Sequence, residues 1–201
     1  MSAVVKPTTP KRPATYADLE AVPPHLVAEI IDGALVTHPR PLPRHSAATS
    51  ALTGELHSPF QKGRGGPGGW LFMDEPELHL GTHVLVPDIA GWRRERLSKE
   101  PESVGITVAP DWICEVLSPS TASYDRTSKF RIYHETRVGH LWYVDPQYRT
   151  LEVFAWSEKH WIPIANFGDF EKVTAPPFEA VTFDLGALWP FDTPPAAPTS
   201  A

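Results

Sequence analysis

The chain has 201 residues, enough for one compact domain and too few for two full-sized ones. Hydrophobic residues make up 41% and charged ones 21%, which excludes a wholly disordered chain, while the single cysteine, Cys114, excludes an intrachain disulfide and a multi-cysteine zinc site. A formal charge of −6, from 18 Lys and Arg against 24 Asp and Glu, excludes nucleic-acid binding by bulk attraction and leaves only a local groove for it. No apolar run approaches the ~18 residues of a membrane span, and no signal-peptide core opens the chain, so a cytoplasmic location is expected.

Proline is uneven. Of 23 prolines, 8 fall in residues 1–43 and 6 in residues 176–201. Residues 1–14 are expected to be a disordered tail, 15–190 a single domain, and 191–201 a Pro-rich tail.

Thr15-Tyr-Ala-Asp18 has capping-box spacing and predicts a short helix that Pro23-Pro24 stops. Two apolar runs around Asp32-Gly33 predict a hairpin, with Val27, Glu29 and Ile31 on one face. After a Pro-rich turn, Ala48, Leu52 and Leu56 recur at i, i+4, i+8 and predict a helix over 45–57. Residues 62–69, Lys-Gly-Arg-Gly-Gly-Pro-Gly-Gly, read as a mobile loop without a phosphate-loop ending. Val84–Gly91 and Trp112–Leu117 read as strands, each with one acid near its end. Residues 123–137 carry a helical period that Gly139 would stop. His140–Val144, Thr150–Trp156 and Trp161–Ala165 read as three more strands. The pattern predicts an α/β (α+β) domain on one mixed sheet flanked by helices.

Asp88 alternates onto the face of Val84 and Val86, and Glu115 onto that of Ile113 and Leu117. A carboxylate among such neighbours is costly unless it is paired or holds a metal; a structural salt bridge is the plain alternative. Lys129, Ile132, Tyr133 and Thr136 share one helical stripe, so Lys129 either snorkels to water or meets a buried acid. Two strand acids and a lysine suit metal-assisted phosphodiester cleavage. Asp88 and Glu115 would hold Mg²⁺ or Mn²⁺, and Lys129 would orient water or stabilise charge, with Glu29 as a third acid. His79 and His83 lack a third zinc ligand, Ser118 and Ser120 lack a nucleophile elbow, and Cys114 alternates away from Glu115.

The segments Glu29-Ile-Ile-Asp-Gly, Pro87-Asp88-Ile, Glu115-Val-Leu-Ser-Pro-Ser-Thr121, Asp125-Arg-Thr-Ser-Lys129 with Tyr133, and Leu141-Trp-Tyr-Val-Asp-Pro146 resemble the Uma-two family, classed as restriction endonucleases within the PD-(D/E)XK nuclease superfamily. The resemblance spans roughly residues 15–190. It implies a restriction-endonuclease-like core, a divalent metal, and DNA as substrate of a Mg²⁺-dependent endodeoxyribonuclease. It also assigns Asp88 and Glu115 to the motif acids, Lys129 to the motif lysine in place of Leu117, and Glu29 to the acid of the opening hairpin. His45, Asp125 and Tyr133 fall at the site edge. The departure at Leu117 and the acidic charge keep a second reading open, a non-catalytic DNA-binding or assembly module on the same fold. Symmetric duplex cutting suits a homodimer. Some of Arg40, Arg44, Lys62, Arg64, Arg126 and Arg131 are expected to meet phosphate around the cleft.

Overall fold

The computed structural model describes residues 12–193, so most of both expected tails, 1–11 and 194–201, lies outside the described residues. What is described of them touches the domain: the Ala14 N–H donates to Gly33 O at 2.7 Å, and Asp192 pairs with Arg44 at 2.9 Å.

Helix α1 (Tyr16–Glu20) starts where Asp18 accepts hydrogen bonds from the Thr15 N–H and hydroxyl at 2.8 and 2.7 Å. The hairpin follows as β1 (Leu26–Ile31) and β2 (Ala34–Pro39). Its turn residues, Asp32 at φ 52° and Gly33 at φ 74°, take the left-handed pair that a two-residue turn requires. Helix α2 (Pro43–Leu56) runs on into a π-helical turn, His57–Gln61, and buries Ala48, Leu52 and Leu56. Each of those leucines contributes about 1.5–3 kcal/mol by leaving water.

Strands β3 (Trp70–Asp74), β4 (Leu78–Leu80), β5 (His83–Leu85), β6 (Ile89–Arg93) and β7 (Trp112–Val116) come next. Helices α3 (Ala122–Tyr124) and α4 (Phe130–Glu135), joined by a π-helical turn over Asp125–Lys129, cross to β8 (His140–Asp145). Then come β9 (Thr150–Ala155), β10 (Ile162–Gly168) and the small ladder of β11 (Lys172–Val173) with β12 (Phe183–Asp184). The six-stranded sheet has order β10-β9-β8-β7-β6-β3, in which β7 and β8 are parallel and the other pairs antiparallel. The four-stranded sheet has order β2-β1-β5-β4. The molecule is thus a mixed α/β fold with a large mixed sheet flanked by helices.

Strand β7 is buried along its whole length, and its two faces feed different cores. Trp112, Cys114 and Val116 pack with α2 and the C-terminal Phe178, Leu185 and Leu188. Ile113 and Leu117 pack with Ile132, Tyr133, Leu141 and the hairpin residues Ile31 and Val36.

Three expectations need correction. Val84–Gly91 is two strands in two sheets, because the chain changes sheets at 86–88, where Pro87 has no N–H to give a ladder. The helix over 123–137 ends at Glu135, and Arg137, at φ 61°, makes the left-handed stop expected of Gly139. Gly139 is small for another reason: a Cβ there would lie 2.9 Å from Asp111 O. The glycine-rich loop is tied down, with Arg64 N–H donating to Ser58 O and Gly68 N–H to Pro59 O, both at 2.9 Å.

Candidate functional site

Asp88 is the residue just before β6, and Ile89 of β6 faces Cys114 of β7, so antiparallel register brings Asp88 beside Glu115. The Asp88 Oδ2 accepts the Val116 N–H at 2.7 Å, and the Glu115 Oε2 lies 3.4 Å from the Asp88 N–H. The π-helical turn presents both of its ends inward. Asp125 and Lys129 pair at 3.4 Å, and the Lys129 ammonium lies 2.7 Å from Glu115 Oε1 and 3.2 Å from Glu29 Oε1. Lys129 therefore does not snorkel to water; it is 3% exposed and Glu115 and Glu29 are each 2% exposed. The Tyr133 hydroxyl donates to Glu115 Oε1 at 2.6 Å, one helical turn beyond Lys129. His45, in the first turn of α2, reaches over the sheet end to Asp88 Oδ1 at 3.2 Å.

These seven residues, from both sheets and two helices, thus converge. All except Tyr133 line one cavity of about 270 Å³, together with Arg40, Leu42, Pro119 and Thr121. Two features had not been singled out from the pattern. His38 pairs with Glu29 at 3.1 Å, and Glu29 Oε1 also accepts the Val86 N–H at 2.8 Å. The readable signal for His38 was its alternation with Val36 on the inward face of β2. The Ser118 hydroxyl contacts those of Ser120 and Thr121 at 2.9 and 3.0 Å beside the cavity.

The electrostatics follow from four buried or half-buried acids around one lysine. Burial alone would push the Lys129 ammonium down, but Glu115 and Glu29 hold it well above the ordinary lysine range. Burial pushes the Glu115 carboxyl up, and Asp125 and Asp88 add to that against the pull of Lys129. Asp125 is raised by burial in the same way. Glu29 ends lower than usual, since Lys129, His38 and the Val86 N–H outweigh its burial. Burial pulls the His45 imidazole down, and Asp88 more than reverses it. The cluster is therefore short of positive charge, and Glu115 carries the deficit.

That deficit is one a hard cation would fill. Among the described residues no three His, Cys, Asp or Glu side chains form a ready-made metal set. Two adjacent carboxylates suit Mg²⁺ even so, since it keeps several waters and takes one or two protein carboxylates.

The cations expected around the cleft are mostly occupied elsewhere. Arg44 pairs with Asp192, Arg126 with Glu152, and Arg131 with Asp32 and Glu135; only Arg40 lines the cavity, where it pairs with Glu75. His79 and His83 are used locally, by Glu77 and by the Asp32 N–H. Cys114 is buried away from the cavity, and its thiol is pushed up by burial. Among the described residues no helix is long and apolar enough to cross a membrane.

Comparison with known proteins bears on the fold and the family. A crystal structure from Anabaena variabilis, described as "a putative nuclease belonging to DUF820", superposes with a TM-score of 0.71 at 23% identity, over 88% of this chain and 98% of the other. At that identity the likeness is one of fold. No curated protein matches the chain. A family model described as "Putative restriction endonuclease" matches residues 13–186, and the chain belongs to that family, Uma2.

Proposed function

We propose that this protein is a divalent-metal-dependent DNA endonuclease of the PD-(D/E)XK type. The observation that carries the reading is the convergence of Asp88 and Glu115 at the end of adjacent strands with Lys129 2.7 Å from Glu115, at the base of a cavity. A catalytic lysine does not need to sit two residues after Glu115. Leu117 there is buried in the core, and the π-helical turn delivers Lys129 from the next helix.

Asp88 and Glu115 would hold Mg²⁺ or Mn²⁺. Bound there, the ion supplies a water of lowered pKa and neutralises charge on the phosphate. Lys129, fixed as an ammonium, would place positive charge where negative charge develops on the phosphate oxygens and would orient the attacking water. Tyr133 and Glu29 hold Glu115 and Lys129 in place, by hydrogen bond and by ion pair. His45 keeps Asp88 Oδ1 turned toward the cavity. The buried walls exclude bulk water from these contacts and so strengthen them.

The test is cleavage of supercoiled plasmid with Mn²⁺, paired with calorimetric titration of Mn²⁺ into the metal-free protein. Cutting and metal binding by the parent, both lost in Asp88→Asn, are expected. Metal binding and cutting both absent in the parent would instead select the non-catalytic DNA-binding or assembly module.

A further inference from the structure

The far end of the large sheet carries a cluster of cations that the site does not use. Strand β6 ends at Arg93, whose guanidinium stacks 4.1 Å above the Trp70 ring at the start of β3. Arg94 follows, and it clasps both stems of the glycine-rich loop: its N–H donates to Gly69 O at 3.0 Å and its guanidinium to Gln61 O at 3.4 Å. The loop adds Lys62 and Arg64. All four side chains are exposed, and among the described residues none has a carboxylate within ion-pair distance. Arg40, Arg44, Arg126 and Arg131 are by contrast each paired with an acid.

The backbone of the loop follows a tight, defined path. Gly63, Gly65, Gly68 and Gly69 all have positive φ, and Gly63 lies against Gly68 so that the loop folds back on itself. Gly66 sits so close to Pro59 that a Cβ would fall 2.5 Å from the proline Cβ. A loop of glycines has few side chains to keep a broad ligand away. It therefore presents its two cations and its backbone to something wide.

We propose that this patch grips the phosphate backbone of duplex DNA, a reading that rests on the nuclease assignment above. A chain of net charge −6 repels a polyanion as a whole, so it needs a local cluster of free cations to hold one. Guanidinium groups suit phosphate by their paired donors, and three of them with one lysine ammonium can follow successive phosphates. The five residue steps from Asp88 to Arg93 span about 17 Å at ~3.3 Å per residue. That is a length of roughly five base pairs of duplex at ~3.4 Å each.

Fluorescence anisotropy of a labelled 20-base-pair duplex, in EDTA to prevent cutting, measures binding across a salt series. Lys62→Gln/Arg64→Gln/Arg94→Gln, with Arg93 left to stack on Trp70, is expected to bind at least about tenfold more weakly at low salt. Its slope of log affinity against log salt should fall by about three, one for each lost phosphate contact. The control Arg126→Gln/Arg131→Gln, which removes only paired cations, should bind as the parent does. Should the triple variant fold poorly by circular dichroism, Arg64→Glu alone serves, since its side chain has no partner to lose. Parent-like affinity and slope in these variants would overturn the proposal. Displacement of the duplex by poly-glutamate at matched charge as readily as by unlabelled duplex would also overturn it, in favour of an acidic protein partner. Plasmid cleavage in Mn²⁺ separates the two readings. A parent that cuts while the patch variants bind normally loses the patch and keeps the nuclease; a parent that binds through the patch and never cuts loses the nuclease.

Discussion

Lys129 faces Glu115, Glu29 and Asp125 from inside the protein, so the group proposed for the chemistry also balances buried charge in the fold. Lys129→Ala leaves three buried acids without their counter-charge, and a broken buried pair costs about 3–5 kcal/mol. The sign with pH is fixed by burial. Burial already raises Glu115 and Asp125, and without the ammonium they rise further, so the folded state binds extra protons and loses stability as pH rises past about 4.5, the ordinary glutamate value. Urea melts of Lys129→Ala against the parent should therefore show a larger deficit at pH 8 than at pH 5. An equal deficit at both would mean that the acids were never compensated by this lysine. Asp88→Asn behaves differently. The amide oxygen can still accept the Val116 N–H, so melting should barely change, while cleavage falls by at least about 10²-fold as a metal ligand is lost. Asp88, Glu115, Glu29 and Lys129 were visible in the sequence as acids and a lysine on apolar stripes, whereas Asp125 and His45 came forward only through the family resemblance. His38 was not singled out, because a lone histidine in a hairpin has no partner until the strands are paired.

At the scale of elements, hydrophobic period identified α2, the hairpin, β7 and β8 because each buries an unbroken face. It failed where the chain changes sheets. The apolar run through Val84 and Ile89 looks continuous, yet Pro87 divides it between two sheets, and only the Glu29 carboxylate, distant in sequence, explains how the Val86 N–H is satisfied. Strand β3 escaped because the glycine run before it hides where pairing begins. The π-helical turn at Asp125–Lys129 is likewise invisible to a 3.6-residue period, although it sets the lysine's approach. The glycine-rich loop gives an element-scale test. Gly66→Ala must move Pro59, whose carbonyl oxygen would lie 2.9 Å from the new Cβ, and this overpacking should cost about 1–3 kcal/mol. Thermal melting reads the loss; an unchanged melting temperature would show that the loop shifts freely and that its fixed shape is not maintained by Pro59.

Across the whole molecule the site is a joint between two sheets. Glu29 and His38 come from the four-stranded sheet, Asp88 and Glu115 lead into and lie in the six-stranded one, and Lys129 ties Glu29 to Glu115 across the gap. A cation taken up by Asp88 and Glu115 would add positive charge at the same joint, so its binding should register as global stability. With Mn²⁺ at about 100 times its dissociation constant, mass action gives about 2.7 kcal/mol. For a domain of this size that is a rise of roughly 5–11 °C in melting temperature. The rise should depend on pH in a definite direction. Glu115 is raised by burial and by Asp125 and Asp88, so in the metal-free protein it holds a proton at pH values where an ordinary glutamate has lost it. Metal must displace that proton, so apparent affinity should fall as pH falls, and binding should release protons. Calorimetric titrations of Mn²⁺ in two buffers of different ionisation enthalpy measure the release directly. Asp88→Asn should show neither the melting shift nor the proton release. A parent whose melting temperature rises with Mn²⁺ but whose binding heat is the same in both buffers would place the ion away from Glu115, and a shift that persists in Asp88→Asn would place it away from Asp88.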